Sequence, residues 1–252
     1  MSGQVFSCQA IVLDQRNYGE ADLIVSLFSR QFGRIQTIAK SARKSKRRFV
    51  NKLEIFTLLD VFLRPPRRGL ALLEEAELVN SFVHIRQNIA LYAAASLLRE
   101  FLLITTHEGD ADPELFALTL WALARFDQGA DCRVVTAQFL SRFYEHIGYR
   151  PELEHCRQCG QTMTTGPSWL FNTARGGIIC PLCASDHGGQ PIQPGTAKFL
   201  VSCRAAPLPR LHRLKIAEAP LVEALNILWR YGNAVLGREI VSWRLFTQLT
   251  AH

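Results

Sequence analysis

Hydrophobic and polar residues alternate over the first eighty positions of the chain in a pattern that predicts short β-strands. Gly33 and the run Pro65-Pro66 mark turns between these strands. A long polar insert separates the third strand from the fourth. The predicted strands cover residues 5–13, 22–28, 34–39, 53–63 and 70–78. Five strands in a segment of this length predict a small closed barrel.

The OB-fold, a five-stranded barrel, is our leading interpretation of residues 1–80, because barrels of this size commonly bind oligonucleotides. An SH3-like barrel has a similar number of strands. Strand count alone therefore leaves that alternative open.

From about residue 81 the hydrophobic period changes to that of an α-helix. Asp112-Pro113 is typical of a helix start, with aspartate as the N-cap and proline at the first helical position. The predicted helices cover residues 85–106, 115–126, 134–147, 196–205, 221–231 and 238–249. The sequence thus predicts an α+β multidomain fold, in which an all-α domain, residues 81–252, follows the barrel and is interrupted by a loop at 150–195.

Basic residues exceed acidic ones by seven, and most of this excess lies in the predicted barrel. Residues 1–80 carry 13 Lys and Arg against 8 Asp and Glu, whereas residues 81–252 carry 16 against 14. A local excess of positive charge indicates a polyanionic partner, either nucleic acid or an anionic membrane surface, although a merely basic protein is the simpler alternative. The sequence has no run of 18 apolar residues and no secretory signal, so we expect a cytoplasmic protein without a membrane partner.

Four of the seven cysteines form two C-x-x-C pairs, Cys156 with Cys159 and Cys180 with Cys183. Two thiolates three positions apart in a tight turn reach one ion, and two such turns form a tetrahedral zinc site. Gly160 favours such a turn because glycine tolerates positive φ. Redox disulfides within each pair are the alternative. Four thiolates leave no position open for water, so the expected zinc ion, one per chain, is structural rather than catalytic.

The loop around these cysteines, residues 150–195, is rich in proline and glycine and has too little periodic apolar sequence to fold unaided. We therefore expect the metal to stabilise it. His155 and His187 are close enough in sequence to replace a cysteine ligand, but such histidines are more often surface residues. The remaining cysteines are expected in the core; they are Cys8, Cys132 and Cys203.

An acid-free basic stretch runs from Arg30 to Lys52. Five charges occupy the six positions 43–48, and their repulsion is expected to keep the insert mobile until phosphates neutralise it. Phe49 is expected to offer a ring for base stacking. A solvated charged loop is the alternative. The residues predicted to contact nucleic acid are Arg30, Arg34, Lys40, Arg43, Lys44, Lys46, Arg47, Arg48 and Lys52, together with Arg67 and Arg68 of the following hairpin.

Neutralisation of five phosphates predicts a slope of log K against log salt of about −3.5 on single strands and about −4.5 on duplex. Binding is expected to be independent of sequence, because no base-reading motif accompanies the charges. A second basic cluster is equally compatible with a further contact and with a solvated face; it consists of Arg204, Arg210, Arg213 and Lys215.

Motifs of catalysis are absent from the sequence, including the P-loop, the dinucleotide-binding glycine pattern, the zinc-protease pattern and the nucleophile elbow. Glu108, Asp110 and Asp112 suggest a metal-dependent nuclease, but their position before a helix favours capping and interaction with the helix dipole. The sequence therefore predicts a protein that is not an enzyme.

Several segments together resemble the bacterial RecO family of recombination mediators. One of them is Tyr18-Gly19-Glu20-Ala21-Asp22, and another is the C-x-x-C-Gly motif that ends at Gly160. Ser41 stands where the family signature leads us to expect glycine, a change that costs loop flexibility but no charge. The similar segments span nearly the whole chain and cover residues 10–13, 18–22, 39–44, 147–153, 156–160 and 176–183.

The resemblance implies an OB-fold domain, a helical domain and a zinc loop in a nucleoid-associated protein. It also implies binding of single- and double-stranded DNA, annealing of complementary strands, and partnership with RecR. A further implied partner is the acidic, apolar C-terminal tail of the single-stranded-DNA-binding protein, a contact that helps RecA load onto coated DNA. Such a tail requires an apolar pocket with a basic rim, for which Phe139, Arg142 and Phe143 are candidates, with core packing as the alternative.

Two functions of other classes stay open at this stage. An OB barrel also suits a zinc-containing RNA-binding or translation-associated protein. A protein adaptor whose basic loop is incidental is the second.

Overall fold

The computed structural model describes residues 4–66, 69–165, 169–186 and 188–250. Within these ranges no helix is long and apolar enough to cross a membrane. The chain forms two compact units. The first comprises the described residues up to Asn88 together with Arg99–Asp127, and the second comprises Ile89–Leu98 together with the described residues from Gln128 onward.

Five strands close into a barrel in the first unit, in the order β1-β2-β3-β5-β4, with β1 also paired to β4. Neighbouring strands are antiparallel except β3 and β5, which are parallel over two residue pairs. This Greek-key order confirms the predicted OB-fold barrel. The strands are β1 (Phe6–Tyr18), β2 (Asp22–Ser29), β3 (Gly33–Ala39), β4 (Leu58–Arg64) and β5 (Ala71–Asn80).

Alternate residues of each strand point into the barrel, as a half-buried strand requires. Val25 and Leu27 of β2 belong to the barrel core, whereas Ser26 and Phe28 project to the other face, where they are buried as well. A register shift between Val12 and Asp14 marks a bulge in β1, which changes the face that its later residues occupy. Beyond the bulge, Tyr18 pairs with Asp22 on the outer face of the hairpin.

Two predicted strand boundaries are wrong. The first predicted strand ends at residue 13, but β1 continues to Tyr18, and the turn that follows it is confined to the residues around Gly19, whose φ is 59°. The fourth strand was expected from residue 53, but β4 begins at Leu58. Phe56 has a φ of 73°, which no strand accommodates, and Leu53 instead packs into the barrel core.

Three helices follow β5: α1 (Val83–Gln87), α2 (Ile89–Thr105) and α3 (Pro113–Asp127). The predicted helix over 85–106 is broken at Asn88, whose backbone is extended. The predicted cap of α3 is confirmed, because the Leu115 amide donates to Asp112 Oδ1 at 2.7 Å. Since α1, α3 and the end of α2 belong to the first unit, compact packing extends past residue 80, and the domain division at that residue stays a prediction.

The described part of the second unit contains four further α-helices, and also a small sheet that the sequence pattern did not predict. The sheet has the order β7-β6-β8 and lies within the loop expected at 150–195. Its apolar residues include Trp169 and Phe171, which alternate and are both 1% exposed. These elements are α4 (Cys132–His146), β6 (Trp169–Asn172), β7 (Gly177–Ile179), β8 (Gln190–Ile192), α5 (Pro194–Ala205), α6 (Glu218–Leu236) and α7 (Ser242–Thr250).

Candidate metal centre and candidate nucleic-acid interface

The four paired cysteines converge on one point. The sulfurs of Cys156, Cys159, Cys180 and Cys183 all lie within 4.8 Å of one another, and Cys159 Sγ is 3.6 Å from Cys180 Sγ. Four sulfurs at about 2.3 Å from one zinc ion lie about 3.8 Å apart in a tetrahedron. The arrangement therefore fits a single metal ion, and the predicted ligand set is brought together in full.

Each C-x-x-C pair is folded into a tight turn by its own backbone. The Gly160 amide donates to the Cys156 carbonyl at 2.9 Å, and the Cys183 amide donates to the Cys180 carbonyl at 3.0 Å. Gly160 has a φ of 77°, as the sequence predicted for a residue closing such a turn. The Cys180 amide also donates to Cys156 Sγ at 3.3 Å, which links the two turns.

Backbone pairing aligns the two turns side by side. The Ile178 amide of β7 donates to the Glu152 carbonyl at 2.9 Å, and the Arg157 amide donates to the Ile178 carbonyl at the same distance. Gly177 makes this approach feasible, since a Cβ there would lie 2.6 Å from the Glu152 carbonyl oxygen. Sequence reasoning missed Gly177, although the Gly-Gly pair just before Cys180 was a signal of close backbone packing.

The sulfurs differ sharply in how readily they ionise. Burial raises the pKa of the Cys156 thiol, but backbone N–H donors from Cys180, Cys159 and Gln158 outweigh it and lower that pKa from 9.0 to about 6. The hydrogen bond with the Cys180 thiol, followed by burial, raises the pKa of Cys183 to about 12. A divalent cation is what allows all such thiols to ionise together.

The other cysteines and His155 do not belong to this group of four sulfurs. Cys8, Cys132 and Cys203 are buried, as predicted, and burial raises the pKa of the Cys203 thiol to about 12. His155 is exposed, and its Nδ1 lies 3.7 Å from Glu152 Oε1. His187 lies outside the described residues. The expectation that His155 is a surface residue is confirmed.

The insert between β3 and β4, residues 40–57, is folded against the barrel. Ala42, Phe49 and Leu53 belong to the buried cluster of the barrel core, so the insert contributes to that core. Phe49 is 4% exposed, and the prediction that its ring stacks on bases is wrong. The expected mobile loop is thus replaced by a folded segment with its own apolar anchors.

Several of the predicted nucleic-acid-binding cations are bonded to main-chain carbonyls. Lys52 Nζ donates to the Ala76 carbonyl of β5 at 2.7 Å, and Arg34 Nη1 donates to the Leu103 carbonyl at 3.0 Å. Arg48 donates to the carbonyls of Glu74 and Lys40, both at 3.1 Å. These hydrogen bonds satisfy carbonyl groups of the fold. The charged groups of Lys52 and Arg34 are engaged in them, and both residues are half-buried.

The tip of the β1–β2 hairpin, residues 18–22, is tied to the start of the insert. The Asp22 carboxylate accepts from Lys40 Nζ at 2.7 Å and from the Ser41 amide at 2.8 Å. The bonds from Lys40 and Ser41 lower the pKa of that carboxyl. The Arg43 amide donates to the Ala21 carbonyl at 2.9 Å, so the insert follows the hairpin tip over several residues.

Three cations of the insert have no such attachment. The side chains of Lys44, Lys46 and Arg47 are exposed and make no hydrogen bond or ion pair with another described residue. With three exposed but bonded neighbours they form what we call the basic surface, which consists of Lys40, Arg43, Lys44, Lys46, Arg47 and Arg48.

The other predicted cations are less favourably placed. Arg30 is exposed but lines a groove with Asp60 and Glu77, whose carboxylates oppose phosphate binding. Arg204 donates to the Pro151 carbonyl at 2.6 Å and its side chain is 6% exposed, whereas the rest of its cluster is exposed. Arg67 and Arg68 lie outside the described residues.

Comparison with known proteins identifies the family. The family model described as Recombination protein O N terminal matches residues 1–82, and the model described as Recombination protein O C terminal matches residues 86–244. The chain belongs to the RecO family. The family expected from the sequence segments is therefore confirmed.

Relatives within the RecO family match over nearly their full length. The chain is 32% identical over 245 residues to a protein named DNA repair protein RecO from Syntrophobacter fumaroxidans, covering 95% of this chain and 96% of that protein. It is 32% identical over 254 residues to the protein of that name from Desulfosudis oleivorans, covering 97% and 98%. The Dehalococcoides mccartyi protein is 34% identical over 220 residues, covering 86% and 85%.

The pocket implied by the RecO resemblance does not form at Phe139, Arg142 and Phe143. Phe139 and Phe143 are both 0% exposed and stack on each other with ring centroids 5.7 Å apart. Arg142 Nη1 donates to the Ala206 carbonyl at 2.7 Å. Because the rings of Phe139 and Phe143 have no exposed surface, they cannot contact a partner. These residues instead pack in the core, which was the alternative interpretation.

The acidic residues before α3 also have structural roles in this RecO-family chain. Glu108 Oε1 accepts from the Gln36 amide at 3.1 Å, and Asp112 caps α3. Gly33 lies directly against this segment, since a Cβ there would lie 2.3 Å from the Asp110 carbonyl oxygen. These contacts hold residues 107–112 against β3, and they support a structural role for Glu108 and Asp112 over a nuclease site.

Proposed function

We propose that this RecO-family chain acts in DNA repair by binding DNA through the basic surface of its barrel. The observation that carries the proposal is the set of three exposed cations, Lys44, Lys46 and Arg47, whose side chains make no hydrogen bond or ion pair with another described residue. The names of the relatives, DNA repair protein RecO, support the choice of DNA. Because cations of this kind bind phosphates, single strands and duplex are both ligands and sequence preference is weak.

Strand annealing follows from the same charges without a catalytic group. Cations that neutralise two phosphate backbones lower the repulsion between complementary strands, and base pairing then drives the reaction. We propose on this ground that the chain anneals strands and is not an enzyme. The structural roles of Glu108 and Asp112 support the second part.

The proposed partners follow from the family resemblance. They are RecR and the C-terminal tail of the single-stranded-DNA-binding protein, through which the chain helps RecA load onto coated DNA in the nucleoid. An acidic tail requires exposed cations beside apolar surface. The burial of Phe139 and Phe143 means that the tail contacts other residues than those.

We further propose that the metal centre holds one structural zinc ion. The four thiolates of Cys156, Cys159, Cys180 and Cys183 are the soft ligands that zinc prefers, and the spacing of their sulfurs suits tetrahedral coordination. All four positions are protein sulfur, so the ion would hold the two turns together rather than activate water.

Salt-dependent binding tests the proposed DNA function directly. If Lys44, Lys46 and Arg47 alone contact phosphate, the slope of log K against log salt on a single strand is about −2, and if all six cations of the basic surface do so it is about −4. Replacement of Lys44, Lys46, Arg47 and Arg48 by glutamine should flatten that slope and slow annealing. An unchanged slope and annealing rate in this variant would exclude the basic surface as the contact.

RNA binding is the closest rival, because OB barrels also bind RNA. Affinities for DNA and RNA strands of matched sequence, measured at one salt concentration, separate the two functions. Clearly tighter binding of RNA would contradict the proposal.

A further inference from the structure

One exposed aromatic ring lies beside the basic surface. Among the described residues of the first compact unit, two aromatic side chains are exposed, Tyr18 at 53% and Phe32 at 38%. Phe32 packs edge-on against Phe6, with ring centroids 4.8 Å apart. Tyr18 has no such ring contact with a described residue, and it stands at the last position of β1.

Strand pairing places the Tyr18 side chain on the same side of the hairpin as the start of the insert. Tyr18 is the cross-strand partner of Asp22, and side chains of directly paired residues project to the same face. The Asp22 carboxylate on that face holds Lys40 Nζ at 2.7 Å and the Ser41 amide at 2.8 Å. The ring is therefore next to the point where the basic surface begins.

Cations flank the ring along the strand and across the hairpin tip. Arg16 lies two residues before Tyr18, on the same face, and its exposed side chain makes no hydrogen bond or ion pair with a described residue. Arg43 Nη1 reaches the Glu20 carbonyl at 3.3 Å. The acids at the tip are Glu20, which is exposed, and Asp22, which Lys40 neutralises.

We propose that Tyr18 is a stacking platform for an unpaired base of single-stranded DNA whose phosphates lie along the basic surface. The inference rests on the proposed DNA binding and specifies single-stranded DNA as the form that Tyr18 contacts. Exposed rings beside cations are the usual means by which OB-folds hold single strands. The bases of a duplex are already stacked on each other, so the ring strengthens binding of single strands only.

The experiment compares Tyr18→Ala with Tyr18→Phe on three probes: a single-stranded thymidine oligomer, the same oligomer made wholly abasic, and a duplex of equal length. Tyr18→Ala should weaken binding of the thymidine oligomer roughly 5- to 100-fold, and Tyr18→Phe should keep it near the wild-type value. Neither change should alter binding of the abasic oligomer or the duplex. Tyr149→Ala, which removes a tyrosine that is 49% exposed in the second unit, is the matched control.

The outcomes separate this inference from the proposed function. If the wild-type protein binds none of the probes, the proposed function fails first. If the wild type binds and Tyr18→Ala loses affinity equally for all three probes, or for none, Tyr18 does not stack on bases. A photo-crosslink between 5-iodouracil in the oligomer and wild-type Tyr18 tests the contact without any variant, and its absence from that residue overturns the inference.

Discussion

The metal centre brings together four cysteine sulfurs and the basic surface brings together six cations, but the fold fixes the two sets to different degrees. At the metal centre, backbone amides and paired turns fix four sulfurs within 4.8 Å of one another, and the set is complete. At the basic surface, main-chain carbonyls and one carboxylate hold some cations, while the exposed side chains of Lys44, Lys46 and Arg47 make no hydrogen bond or ion pair with a described residue.

This difference determines what each site requires of its ligand. Four sulfurs in so small a volume bind one compact cation, and removal of any sulfur leaves an incomplete set. Cations spread over an exposed segment suit an extended polyanion, to which each would contribute nearly independently. Loss of one group should therefore disable the metal centre but only weaken the basic surface.

The largest expected effect comes from breaking the ligand set. Replacement of both Cys180 and Cys183 by serine should abolish metal binding, because two serine hydroxyls do not substitute for thiolates. Metal binding in four-ligand sites of this kind contributes on the order of 10 kcal/mol to the folded form. We expect the segment around residues 150–193 to become sensitive to proteases while the barrel stays resistant, as measured by limited proteolysis and metal analysis.

Cys203→Ala is the control for that variant, since Cys203 is buried and lies outside the ligand set. It should retain one metal ion per chain. Equal loss of protection in the barrel and in the metal-binding segment would show that the centre does not stabilise its own segment selectively.

A smaller effect separates the unattached cations from the bonded ones. Changing Lys44, Lys46 and Arg47 to glutamine should reduce the salt slope on a single strand by about 2 and leave the free energy of unfolding nearly unchanged. Lys52→Met should do the reverse, with an unchanged slope and a loss of about 1–2 kcal/mol of stability, because the Ala76 carbonyl loses its donor.

An equal loss of charge elsewhere provides the reference for this comparison. Lys198, Arg230 and Arg238 are exposed cations of the second unit, and their combined change to glutamine alters the net charge by the same amount. If that variant flattens the salt slope as much as the triple change in the insert, the effect comes from net charge and not from the basic surface.

Local spacing predicted the features whose geometry is itself local. The C-x-x-C pairs, the Asp112 cap and the positive φ of Gly160 each depend on a few consecutive residues, and the sequence identified all of them. The burial of Phe49 depends on core residues from several strands that are distant from it in sequence, so the residues next to it in the chain did not indicate that burial. Strand β8 pairs with β6 across the intervening β7, and although β6 and β7 are neighbours in sequence, runs of three or four residues give almost no periodic signal.

The smallest expected effect concerns the joint between hairpin and insert. Ser41 has a φ of 54° and makes no capping bond through its side chain, so its Cβ adds strain that glycine would not. Ser41→Gly should raise the free energy of unfolding by about 0.5 kcal/mol, because relief of this strain slightly exceeds the entropy that glycine adds to the unfolded chain. Denaturant unfolding measures the change, while DNA binding should stay constant because the amide still donates to Asp22. Ser45→Gly should act in the opposite direction, since Ser45 has a φ of −70° and its Oγ accepts from the Phe49 amide at 3.2 Å. Destabilisation by both changes would mean that the backbone at Ser41 is not under strain.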